Sequence, residues 1–183
     1  MIMQKKYLLM DLSKFFDNAV FQPIPAVSNV QIGIDGLYLI ESIFSPKICT
    51  YENIDFQIQK NTEGFDNLSC DGQTLLLHDV NASEICFLGF SEFGTIRDTY
   101  TIGYQQFEKE FDFVFKTLHT HGWQGIESEQ NNRCIPVLQT FGSDGQKHRL
   151  YVWRQILDKT QKINKIVLPV NLSIHIVAMS FGL

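Results

Sequence analysis

Phenylalanine recurs at every second position within Glu110–Leu118, at Phe111, Phe113 and Phe115, with Asp112, Val114 and Lys116 between and after them. Successive side chains of an extended chain point to opposite faces, so this spacing gathers three rings on one side. A helix would scatter the same rings around its axis. The segment therefore predicts a strand with its phenylalanines in a core and its charges in water. Tyr100, Ile102 and Tyr104 repeat the pattern against Thr101 and Gly103.

Further short apolar or alternating runs read as strands: Tyr7–Met10, Ile54–Gln59, Thr74–His78, Ile85–Phe90, Thr99–Phe107, Lys165–Leu168 and Ser173–Phe181. Turn chemistry separates them. Asp35-Gly36 lies between Val30–Ile34 and Leu37–Ile40, and Asp144-Gly145 lies between Val137–Phe141 and Arg149–Trp153. Asp-Gly suits hairpin turns whose central residues need positive φ. A third pair, Asp71-Gly72, precedes Thr74–His78. No window carries an apolar stripe at helical spacing for three turns. Leu12–Asn18 has room for one helical turn, and residues 120–133, with Gly122, Gly125 and Gln130–Asn132, read as a long surface loop.

This pattern predicts an all-β fold, an antiparallel two-sheet β-sandwich of jelly-roll type, in a single domain over residues 1–183. A chain of this length buries roughly 70% of the surface that its unfolded form exposes, enough for a core. Fifteen phenylalanines suit such an interior.

The net charge of −5 comes without a Lys/Arg-rich run, which argues against nucleic acid as a partner. Lys5 and Lys6 precede only four apolar residues, Tyr7–Met10, fewer than the roughly 7–15 of a signal-peptide core. No stretch reaches the roughly 18 apolar residues of a membrane span. A cytoplasmic chain with no membrane partner is the expectation. The cysteines, Cys49, Cys70, Cys86 and Cys134, form no CxxC pair, so free and mostly buried thiols are expected.

Four segments resemble a bacterial β-sandwich domain related to galactose-binding-like jelly rolls and found as an accessory domain attached to glycoside hydrolases. Asp11–Asn18 (DLSKFFDN) is similar to that group's opening DLSx[YF]FNN, with Asp17 where Asn is usual. Asp71–Leu77 (DGQTLLL) is similar to its G-Q-x-hydrophobic strand entry. Cys86–Gly94 (CFLGFSEFG) is similar to its strand and turn LYLLGAATNG. Lys165–Pro169 with Ser173–Ala178 (KIVLP, SIHIVA) resembles its closing LTLP and HIFAI strands. The resemblance implies a non-catalytic carbohydrate-binding or accessory role, with a glycan or a carbohydrate-active protein as partner.

The candidate ligand-binding residues are Trp123, His121, Gln124, Trp153 and Arg149. Trp123, in the glycine-rich loop, would stack on the C–H face of a sugar if exposed, and would cover the core if folded back. Gln124, Glu127 and Asn131 could orient hydroxyls. Trp153 shares a strand face with Arg149 and Tyr151; facing outward it is a second platform, facing inward it is core. His175 alternates within Ile174–Val177 and reads as a structural histidine.

Two other functions compete. His119-x-His121 places two imidazoles on one strand face, and Glu127, Glu129 or His78 would complete a metal site in a small metal-dependent or acid/base enzyme. A structural subunit that builds a homo-oligomer from exposed strands is the other. No cofactor is required; Asp11, Asp17 and Asn18 could contribute oxygens to calcium, or serve as turn formers and caps. No GxSxG, HExxH or phosphate-cradling motif occurs.

Overall fold

The computed structural model describes residues 6–22, 39–40, 47–118, 134–143 and 145–183. The strands, in chain order, are β1 (Tyr7–Met10), β2 (Phe21–Gln22), β3 (Leu39–Ile40), β4 (Lys47–Tyr51), β5 (Ile54–Ile58), β6 (Leu68–Asp71), β7 (Thr74–Ser91), β8 (Ile96–Tyr104), β9 (Glu108–Phe115), β10 (Cys134–Phe141), β11 (Lys147–Val167) and β12 (Val170–Gly182). A 3-10 turn at Ser13–Phe15 fills the place of the expected helical turn.

Two long strands organise the rest. β7 has 18 residues and β11 has 21, and they pair antiparallel along both of their halves. The second half of β7 and the first half of β11 form one layer, flanked by β12 and β10. β1 and β6 line the far edge of β12. The first half of β7 and the second half of β11 continue into the other layer, followed by β8 and β9. Thr74–His78 and Ile85–Phe90, separate strands by sequence, are thus one strand, as are Arg149–Trp153 and Lys165–Leu168 up to Val167. Between Ile156 and Gln161 the register of β11 slips against Ala82–Glu84 of β7, and Asp79 takes φ 52°. Extra residues on one strand bend the ladder, and here both strands turn from one layer into the other.

Alternation then fills two cores. Ile85 and Phe87 of β7, Tyr151 and Trp153 of β11, and Met179 and Phe181 of β12 face Tyr100, Ile102, Phe113 and Phe115 of the opposing layer. Phe87 packs edge-on against both Tyr100 and Phe113. Phe113 and Phe115 are wholly buried, whereas Phe111 is partly buried at the edge. The intervening residues, Cys86, Leu88, Phe90, Leu150, Val152 and Val177, form a second core under Ile54, Phe56 and Ile58 of β5 and Val20–Phe21. The shared layer is therefore covered on both faces, which explains the unbroken apolar run at Cys86–Phe90.

The hairpin expected around Asp144-Gly145 forms, with Gln139 opposite Arg149 and Gly145 at φ 72°; Asp144 lies outside the described residues. The hairpin expected at Val30–Ile40 falls mostly outside them, and its last two residues pair in parallel with β2. All four cysteines are free, and three are buried. No helix among the described residues is long and apolar enough to cross a membrane.

Candidate functional site

Trp123, His121 and Gln124, with His119, Glu127, Glu129 and Asn131, lie outside the described residues. Trp153 is fully buried, so its ring belongs to the core between the layers and offers no outward platform. Large inward aromatics are what fill the space between two sheets. Its indole N–H meets no acceptor among the described residues. Arg149 is half-buried near the start of β11, and its backbone N–H donates to the carbonyl of Leu118 at 3.1 Å.

Asp11, Asp17 and Asn18 direct oxygens to the chain itself. Asp11 accepts the Ser13 N–H at 2.9 Å, and the Ser13 hydroxyl and amide hold its carboxyl below the usual range. Asp17 accepts the Ser69 N–H at 2.8 Å, and the Asn18 carbonyl accepts the amides of Asp66 and Asn67. Among the described residues no group of three His, Cys, Asp or Glu side chains is placed to hold a metal.

A different constellation forms where β7 ends. Ser91–Gly94 is a tight turn: the Ser91 hydroxyl donates to the Gly94 carbonyl, and Gly94 takes φ 61°, open to glycine without strain. Glu92 is pinned within it from two sides. Its N–H donates to the Ser173 carbonyl at 2.9 Å, and its carbonyl accepts the Thr117 hydroxyl at 3.4 Å. Its carboxylate Oε1 lies 2.9 Å from Nε2 of His175. Phe93, the next residue, is 62% exposed.

His175 is buried, stacked on Phe90 with 4.8 Å between ring centroids. Its Nδ1 lies 2.8 Å from Oδ1 of Asn67. Asn67 in turn donates from Nδ2 to Oδ1 of Asp66 at 2.8 Å and to the Asn18 carbonyl at 3.2 Å. Asp66 is wholly buried and accepts the amides of Val20 and Phe21, each at 3.0 Å. Burial pushes its carboxyl up to about 6, against the pull of those donors and of Lys60. A polar string thus runs from Asp66 through Asn67 and His175 to Glu92.

This string fixes where protons sit. Two acceptors claim the Asn67 amide nitrogen, so its oxygen must face His175, and Nδ1 must carry a hydrogen. One more proton is needed between Nε2 and Oε1, on the ring or on the carboxyl. In either place Oε2 of Glu92 carries none. Among the described residues Oε2 has no hydrogen-bond partner, and the Glu92 side chain is 17% exposed. The result is a partly exposed acceptor held in place by His175, with an exposed phenylalanine as the next residue.

The same corner roots the 119–133 segment. Leu118 donates its N–H to the Ser91 carbonyl at 2.9 Å, and its own carbonyl takes the Arg149 amide. Sequence reasoning read His175 as a structural histidine, in keeping with its two side-chain partners, but did not single out Glu92, Asn67 or Asp66. The only signal for Glu92 was its place in the turn after Cys86–Phe90.

A concavity of about 340 Å³ lies where β11 bends, lined by Phe111 and Asp112 of β9 and by Gln155, Ile156, Asp158 and Gln161 of β11.

Layers paired through shared strands, with a core between them, define a β-sandwich domain. The chain belongs to the AziU2-like β-sandwich domain family, whose profile matches residues 10–182. No curated protein matches it.

Proposed function

We propose that this chain is a non-catalytic binding module for a carbohydrate, of the kind that serves a carbohydrate-processing partner. The observation that carries the reading is the Ser91–Gly94 corner. There a fixed carboxylate, an exposed phenyl ring and the root of the Trp123 segment adjoin one another. Sugar recognition needs that combination: a flat apolar surface for C–H faces and oriented polar groups for hydroxyls. The resemblance of Cys86–Gly94 to the strand and turn of galactose-binding-like accessory domains supports the same corner. In this reading Trp123 is the stacking ring, and Gln124, His121 and Arg149 add hydrogen bonds at the rim.

The test is a glycan array followed by titration calorimetry on the hits. Trp123→Ala should abolish binding with little change in melting temperature. An unchanged affinity would remove Trp123 from the site, and an array without hits would remove the carbohydrate reading.

A further inference from the structure

Building on the carbohydrate reading, we propose that Oε2 of Glu92 is a specificity-determining acceptor, which reads one free hydroxyl of the bound saccharide. The argument is the proton count within the polar string. Asn67 is locked by two acceptors, which locks the tautomer of His175 at Nδ1. The single proton between His175 and Glu92 is spent on their own contact. Oε2 then has no hydrogen to donate, whichever partner holds that proton. Nor can the side chain readily turn away, because the imidazole holds Oε1 and the backbone of Glu92 is tied to Ser173 and Thr117.

Such an atom accepts a hydroxyl O–H and gains nothing from a position that has lost it. An ether, a deoxy carbon or a fluorine set against Oε2 leaves the carboxylate without its partner, and sites built around a hydrogen bond discriminate strongly against such analogues. Phe93, exposed on the same turn, supplies the apolar contact for the ring face that bears the hydroxyl. The ligand class is therefore a saccharide with an unsubstituted hydroxyl at one particular ring position.

The experiment takes the best saccharide from the array and its monodeoxy and mono-O-methyl derivatives. Each is titrated against the wild-type chain and against Glu92→Gln. In the wild type, one position should lose about ten- to hundredfold in affinity when its hydroxyl is removed. Glu92→Gln should weaken the parent saccharide and leave that one derivative unaffected, the signature of a coupled pair. The wild-type ¹³C signal of the Glu92 carboxyl should also shift on adding the parent and not that derivative, a readout that does not require the variant to fold. Losses that add independently at every hydroxyl, with a silent carboxyl signal, would overturn the proposal while the carbohydrate reading stands. Absence of binding by any saccharide would overturn both.

Discussion

Arg154 grips the buried carboxylate of Glu84 through one oxygen, Oε2, with Nε and a terminal guanidinium nitrogen each 2.6 Å away. The other oxygen accepts the phenol of Tyr7 at 2.6 Å, which fastens the first strand to the seventh. Burial and the neighbouring carboxylate hold the Tyr7 phenol well above its usual range. The two partners differ in their access to water: the side chain of Glu84 is 1% exposed and that of Arg154 is 35% exposed.

That asymmetry sets the outcome of substitution. Arg154→Ala leaves a buried carboxylate without its guanidinium partner and should cost about 3–5 kcal/mol. Glu84→Ala leaves a cation that can reach solvent and should cost less. Urea unfolding of both variants checks the order, and the reverse order would mean that Glu84 is solvated.

Phe113 touches Phe87, Tyr100 and Phe115 at centroid separations of 5.0, 5.3 and 4.9 Å. Phe113→Ala should cost about 3–5 kcal/mol, and Phe111→Ala, at the edge, distinctly less. A loss below about 1 kcal/mol at Phe113 would mean that the ring does not face the core.

A side chain at Gly89 would overlap the backbone carbonyl of His175 and press on the ring of Phe115 at 3.2 Å. Gly89→Ala should therefore strain the β7–β12 ladder by about 1–3 kcal/mol or more. At Gly103 the added methyl would meet only side-chain atoms of Lys165 and Asn164. The Lys165 chain can swing away, so Gly103→Ala should be milder. Thermal melts of the two variants decide it.

Asp66 should titrate near pH 6 by carboxyl ¹³C resonance, against an ordinary 3.8. Its folded-state value lies above the unfolded one, so the folded chain binds the extra proton between those pH values. The contribution of this group to stability is then complete below about pH 4 and is lost as pH rises through about 6. A midpoint near 4 would show that its donors fully offset its burial.

The inward side chains at Tyr100, Ile102, Tyr104 and Phe113 were legible because each strand there has one wet face and one dry face, which prints a two-residue period in the sequence. The continuity of the seventh strand was not legible. Around Asp79–Asn81 the chain is largely exposed as it crosses from one layer to the other, and an exposed, bent stretch has the composition of a turn. The Glu92 corner was hidden for another reason. Asn67 and Glu92 lie 108 and 83 residues from His175, and no local spacing encodes such a meeting. Trp153 was ambiguous because alternation assigns a residue to a face without saying which face is inside.

Because the seventh and eleventh strands run through both layers, the two halves of the sandwich share a backbone at their seam. Opening one layer therefore strains the ladder that continues into the other. Deuterium uptake by the amides of Leu75 and Leu88, one in each half, should accordingly follow a single opening event. A pull applied at one end would pass along two continuous backbones rather than across a packed interface.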